Sequence, residues 1–159
     1  MKKEILEQAT KIICEFEGFR EYAYKDIAGI WTIGYGQTYY LDGRKVWQHN
    51  RIDEKEARLF VYRKVEKIYY NIVARINRTL EVHQYAAIIS LVYNIGESAF
   101  NRSTLLKKIN QNLKEDDIRK EWERWSYVKG KWVRGLHKRR LKELFIYYPK
   151  KTGVINFGN

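Results

Sequence analysis

Residues 17–38 read EGFREYAYKDIAGIWTIGYGQT, and the architecture of the chain follows from the change of pattern that begins there. Before it, apolar side chains recur at Ile5, Leu6, Ala9, Ile12, Ile13 and Phe16, a helical stripe that stops beside Glu17-Gly18. From Tyr22 to about Thr38 the composition turns to aromatic and β-branched residues broken by glycines. This predicts a twisted strand, a turn at Ala28-Gly29 and a second strand. A further turn at Leu41-Asp42-Gly43-Arg44 predicts a third strand. The helical period then returns and persists. Asp53 with Glu56 is a capping-box pattern, and Ala57, Phe60, Val61, Val65, Ile68, Ile72, Val73 and Ile76 mark a helix to about Asn77, long enough to bridge two lobes. VHQYAAIISLVYNIG, from Val82, is apolar on nearly every side, as expected of a helix buried in the middle of a helical lobe. Ser103-Thr104 offers an N-cap to LLKKINQ, and Ile118, Trp122 and Trp125 recur at helical spacing. YVKGKWVRG carries turn glycines for a loop or short hairpin, and LHKRRLKELFIYY predicts a last helix closed by Pro149.

The order of helix, small β region and several helices predicts an α+β fold, with a small N-terminal β lobe at about residues 15–52. Residues 1–14 and 53–159 make the larger helical part. No repeat, low-complexity run or linker divides the chain, so 1–159 reads as a single domain. A hydrophobic content of 45% is ample for one core, and the formal charge of +12 favours polyanions: nucleic acid, an acidic membrane surface or the anionic polymers of a bacterial envelope. Cys14 is the only cysteine, which excludes an intramolecular disulfide and, with no Cys/His cluster, disfavours a zinc site. The N-terminal MKKEILEQATKIICEFEG is charged every few positions and fits neither a secretory signal nor a membrane anchor.

Eight residues separate Glu17 from Asp26, and five separate Asp26 from Thr32. A three-residue loop at Ile27-Ala28-Gly29, with Gly29 left-handed, sets Asp26 opposite Ile30 and diagonal to Thr32 on one face, where the two can share a water. A two-residue turn at Ala28-Gly29 puts them on opposite faces. Glu17 stands at the negative end of a helix, with Phe16, Phe19 and Tyr22 near in sequence, and both influences favour a protonated carboxyl. One protonated and one ionised carboxyl, roughly 6.5–9.5 Å apart, is the arrangement that hydrolyses a glycosidic bond with inversion.

The Glu-x8-Asp-x5-Thr pattern in this stretch, with Thr-Ile-Gly-Tyr-Gly behind it, resembles the signature of the bacteriophage-type lysozymes, or endolysins, of glycoside hydrolase family 24. QYAAIISLVYNIGESAFNRSTLLKKIN resembles that family's buried helix, Asn-x-Gly corner and Ser-Thr-Leu-Leu helix start, and GLHKRRLKEL its Gly-Leu-x-x-Arg-Arg-x-x-Glu segment. The resemblance implies a lysozyme-like fold with a cleft between the lobes. It implies Glu17 as general acid, Asp26 as the carboxylate that orients water, and Thr32 as its hydroxyl partner. Gly34 and Gly36 correspond to glycines that keep the strand backbone accessible beside the cleft, and Tyr93 to a glycan-contacting aromatic. It further implies cleavage of the β-1,4 link from N-acetylmuramic acid to N-acetylglucosamine in peptidoglycan, with no metal or organic cofactor. A monomer that waits in the cytoplasm of the producing cell, and reaches the wall through a separate holin, completes the expectation.

Blander readings apply to each residue alone. Glu17 is a solvated helix end, Asp26 a hairpin-flanking residue, Thr32 a good β-former, and the glycines a relief of strand curvature. Trp122, Trp125 and Trp132 offer faces for stacking on sugars, but the first two, at helical spacing, read as core, while Arg139-Arg140 read as packing residues, as partners of Glu143 or as contacts to acidic substrate, with structure favoured. His49, His83 and His137 show no ligand spacing. The rival class, a nucleic-acid-binding module, is disfavoured because the basic residues are spread along the chain among acids and no helix-turn-helix, RNP or zinc signature is present. A glycan-binding descendant without turnover is the nearer rival.

Overall fold

The computed structural model describes residues 1–149; KKTGVINFGN, the end of the expected 1–159 unit, lies outside the described residues. Helix α1 (Lys2–Glu17) buries Ile5, Leu6, Ala9, Ile13 and Cys14 along one face. It stops at Gly18, whose φ of 71° lies in the region that a residue with a Cβ rarely adopts. Two antiparallel strands follow, β1 (Arg20–Lys25) and β2 (Trp31–Gly34), paired through Lys25↔Trp31, Tyr24↔Thr32 and Arg20↔Gly34. Three residues of β1, Glu21 to Ala23, therefore lie against Ile33 alone of β2, a bulge. The bulged segment bonds elsewhere, with Ala23 N–H donating to Asn50 O and Ile52 N–H to Glu21 O.

The third strand expected after Leu41–Arg44 is not formed. Single bridges, Tyr39↔Lys45 and Tyr22↔Arg51, replace it, because residues 50–52 take the free edge of β1 before a continuous ladder can grow. Asp42 serves the turn itself, accepting from Arg44 N–H at 3.0 Å.

Helix α2 (Glu54–Val73) opens as expected on Asp53, whose side chain accepts from Glu56 N–H at 2.8 Å. It ends four residues short of Asn77. Arg75 N–H bonds back only three residues, to Ile72 O, and Asn110 closes the corner by accepting from Asn77 N–H and donating to Arg75 O. Tyr35 from the β lobe donates its hydroxyl to Glu54 at 2.7 Å, fastening that lobe to the first turn of α2.

Helix α3 (Val82–Ile95) is the centre of the core. A Glu81/Gln84 capping box starts it, and every residue from Tyr85 to Val92 is buried, because α1, α2 and α7 surround it. Helices α4 (Glu97–Asn101), α5 (Thr104–Asn110, capped by Ser103 Oγ on Leu106 N–H) and α6 (Glu115–Glu123) wrap the same lobe. Trp122 is fully buried against Tyr147, as the helical spacing predicted. A short 3-10 turn, Arg124–Ser126, leads into a hairpin of β3 (Tyr127–Val128) and β4 (Lys131–Trp132). Lys129 and Gly130 both have positive φ there, the geometry of a type I′ turn. Helix α7 (Arg134–Tyr147) completes the lobe. The architecture is α+β, with two small antiparallel sheets and the larger one confined to the N-terminal lobe.

Candidate active site

Four elements meet at Glu17. It is the last residue of α1, and its side chain keeps 28% of its surface in solvent. Arg139 Nη1 of α7 donates to its Oε1 at 2.9 Å. From the β lobe, a Cβ placed on Gly36 would stand 3.8 Å from its Oε2. Tyr93 of α3 faces the same carboxylate: burial first, and the Glu17 charge second, push its phenol well above the ordinary tyrosine range. Lys64 Nζ of α2 lies 4.3 Å over the centre of the Tyr93 ring.

The apolar wall expected around Glu17 is absent. Tyr22 is 60% exposed, and Phe19 packs on Tyr35 with ring centres 5.5 Å apart. Phe16 lies under the Arg139 guanidinium, 4.6 Å from ring centre to Cζ. What faces Glu17 is a cation. The expected pairing of Arg139 with Glu143 is present at 3.2 Å, but its contact to Glu17 lies outside the reach of a local pattern, because the two are 122 residues apart. The available signal was the Arg-Arg-x-x-Glu segment, in which two arginines are offered one glutamate.

The hairpin takes the three-residue form. Asp26 N–H donates to Ile30 O, Gly29 N–H returns to Asp26 O, and Gly29 has φ 78°, so Asp26 and Thr32 lie on one face. Asp26 also has a structural task, since its Oδ1 accepts from Ala28 N–H and Ile30 N–H, both at 2.9 Å. Thr32 is buried, and its hydroxyl donates to Ile30 O at 3.0 Å rather than to Asp26. Among the described residues, Asp26 Oδ2 accepts no hydrogen bond, and the Thr32 hydroxyl keeps its lone pairs.

The two glycines of Thr-Ile-Gly-Tyr-Gly differ. Gly36 is exposed and adjoins Glu17. Gly34 is buried, and a Cβ there would meet the Ala57 methyl and Gln37 Oε1, each at 2.9 Å. Its smallness serves the approach of β2 to α2, so the accessible backbone expected at Gly34 is not found.

Among the described residues no three His, Cys, Asp or Glu side chains gather as a metal site. Burial pushes the Cys14 thiol up, which suits packing and not nucleophilic attack. An open concavity of about 770 Å³ between α1 and α2 is lined by Glu7, Lys11, Asp53, Arg58, Leu59 and Tyr62, and contains none of the expected site residues.

The chain matches a family model described as phage lysozyme over residues 14–143. The endolysin of Acyrthosiphon pisum secondary endosymbiont phage 1 is 36% identical over 147 residues, covering 90% of this chain and 97% of the relative. The SAR-endolysin of Enterobacteria phage P21 is 32% identical over 127 residues, 78% of this chain and 72% of the relative. Among solved structures, the endolysin from Escherichia coli O157:H7 phage FAHEc1 has a TM-score of 0.81 at 32% identity, covering 91% of this chain and 92% of that one. The family match spans Glu17, Asp26, Thr32, Tyr93 and the Arg139–Glu143 segment, and it extends over most of the sequence; the chain belongs to the phage lysozyme family.

Proposed function

We propose that this chain is a muramidase that hydrolyses the β-1,4 link from N-acetylmuramic acid to N-acetylglucosamine in peptidoglycan. Family membership supports a wall-lysing hydrolase, and one observation carries the finer reading. The Glu17 carboxylate stands at the meeting of the two lobes, gripped by Arg139 on one oxygen and open toward Gly36 on the other.

In this reading the glycan lies across the junction of the lobes, over Gly36 and against Tyr93. Glu17 protonates the departing glycosidic oxygen. Arg139 assists this step, because the carboxylate left after transfer is stabilised at once by the guanidinium already in place. Asp26 is anchored through Oδ1 by two backbone N–H groups, which leaves Oδ2 to accept a proton from the attacking water. Thr32, its own proton committed to Ile30 O, offers the same water a second acceptor. Attack from the face opposite the leaving group inverts the anomeric centre. No metal or organic cofactor enters these steps.

Residues 1–159 act as one domain and as a monomer in this proposal. Helix α1 spends its apolar face on the core, and no helix among the described residues is long and apolar enough to cross a membrane. We expect the enzyme to wait in the cytoplasm of the producing cell and to reach the wall through a separate permeabilising protein of the holin type.

The test is loss of turbidity of purified peptidoglycan together with appearance of new reducing ends, comparing the native chain with Glu17→Gln and Asp26→Asn. Native activity with Glu17→Gln reduced at least 10²-fold, both folded by circular dichroism, is the expected result. A folded Glu17→Gln with native activity removes the acid assignment. Three folded, equally inert proteins point to a glycan-binding descendant instead.

A further inference from the structure

We propose that Glu143 is a positioning residue that sets the strength of Glu17 as an acid by sharing Arg139 with it; this rests on the reading of Glu17 as the proton donor. Glu143 is completely buried on α7. Its Oε1 accepts from Ser90 Oγ at 2.8 Å, Arg140 Nη2 at 3.1 Å and Arg139 Nε at 3.2 Å. Its Oε2 accepts from Trp122 Nε1 at 3.0 Å and lies 2.9 Å from Arg140 Nε, which is not aimed for a hydrogen bond.

The charge of this cluster does not close on itself. Two buried guanidiniums face one buried carboxylate, and a buried charge without a partner is costly. Among the described residues, the partners of Arg140 other than Glu143 are neutral acceptors, Asn94 Oδ1 at 2.9 Å and Trp125 O at 3.4 Å. The far end of Arg139 reaches Glu17. The second anion of the cluster is therefore the group at the site itself, and Arg139 is stretched between a fixed, dry carboxylate and an accessible one. A purely structural cluster would hold its own counter-ion within the core.

Glu143 has two effects on Glu17. It fixes Arg139 through Nε and so aims Nη1, and it offsets part of the positive charge that would otherwise bear on Glu17. Titratable groups near Glu17 and Arg139 include Cys14 from α1, Lys64 from α2, Tyr93 from α3 and Lys142 from α7, with Glu54 and Arg58 of α2 and Tyr35 of the β lobe beyond Cys14, and burial pushes the Cys14 thiol and the Tyr93 phenol up. From the β lobe, Gly36 adjoins the Glu17 carboxylate. With Glu143 neutral, both guanidinium charges act on Glu17, which then stays ionised to lower pH and gives up its acidic proton earlier.

The experiment is the pH dependence of reducing-end release by the full chain and by Glu143→Gln and Glu143→Asp. It is paired with an NMR titration of the ¹³C-labelled Glu17 carboxyl, assigned by its loss in Glu17→Gln. The alkaline limb of activity and the Glu17 midpoint should both move down by about one pH unit in Glu143→Gln. Glu143→Asp, which keeps the charge, should show little of that shift. A folded Glu143→Gln in which neither limb nor midpoint moves overturns the proposal. Should Glu143→Gln not fold, Arg140→Met leaves Glu143 to offset Arg139 alone and must move both readouts up, and no shift there overturns the proposal equally. If Glu17→Gln keeps native activity, the acid assignment fails by itself, and the NMR midpoint still decides whether Glu143 acts on Glu17.

Discussion

Replacing Gly34 by Ala is expected to unfold the β lobe from α2 far more than the loss of conformational freedom alone would. Gly34 has φ 64°, and a left-handed residue with a Cβ costs about 1–2 kcal/mol. The new methyl then meets Ala57 Cβ and Gln37 Oε1, each at 2.9 Å. Gln37 is a flexible side chain, but Ala57 is fully buried in the first turn of α2, and its methyl yields only if the helix moves. Overpacking of this kind costs about 1–3 kcal/mol, so the sum is about 2–5 kcal/mol. In a chain of this size that corresponds to a fall in Tm of roughly 4–20 °C. Gly36→Ala is the internal control. Its φ of 88° imposes comparable strain, yet the nearest atom is Glu17 Oε2 at 3.8 Å, an ordinary contact, so only about 1–2 kcal/mol is expected. Urea unfolding followed by far-UV circular dichroism measures both. In a double-mutant cycle, Ala57→Gly should relieve Gly34→Ala with a coupling of about 1 kcal/mol or more. Equal stability of Gly34→Ala and Gly36→Ala, or a coupling near zero, refutes the collision as the reason for this glycine.

Trp122→Ala should destabilise the helical lobe by about 3–5 kcal/mol in urea, since it empties a fully buried site and strips Glu143 Oε2 of a donor at 3.0 Å; a loss under about 1 kcal/mol would show that the site collapses freely. The Lys108 ammonium, 3.0 Å from Glu121, holds that carboxyl below the usual range and ties α5 to α6. Because the folded value is depressed, the pair stabilises above about pH 4.3 and its contribution is lost as pH falls through the folded value. Glu121→Gln should therefore lower Tm at pH 7, by the equivalent of about 1 kcal/mol or less, and not at pH 2, and a deficit independent of pH would contradict the ion pair. The formal charge of +12 should speed encounter with an anionic envelope, so lysis should fall between about 0.05 and 0.5 M salt at constant Tm, and a flat profile would remove electrostatic steering from the account.

How much of this was legible beforehand depended on the range of the interaction. The end of α1 at Gly18, the three-residue loop between Asp26 and Ile30, the Asp53 and Ser103 caps and the all-round burial of α3 were each written within a few consecutive residues. Helical and strand periods and turn chemistry are short-range, and a window of ten residues contains their cause. The shared face of Asp26 and Thr32 belongs to the same class, because a hairpin register is set by its own loop.

Where several partners compete for one group, local pattern did not choose among them. The edge of β1 went to residues 50–52 and not to a third strand, since both were within reach and only the packed lobe decided between them. Helix α2 ended early because Asn110, from another part of the lobe, took the hydrogen bonds at its corner. Gly34 proved to be a contact with α2, whereas its sequence neighbourhood read as strand curvature. The sequence by itself determined the order of the main elements, helix, small β region and several helices, the family signature and the positions of Glu17, Asp26 and Thr32. Only the tertiary structure decided that Glu17 faces Arg139 instead of an apolar wall, and that Arg139 is in turn held by Glu143. Electrostatic partnership depends on distance in space, and a contact across 122 residues exists only once α3 has packed α1 against α7.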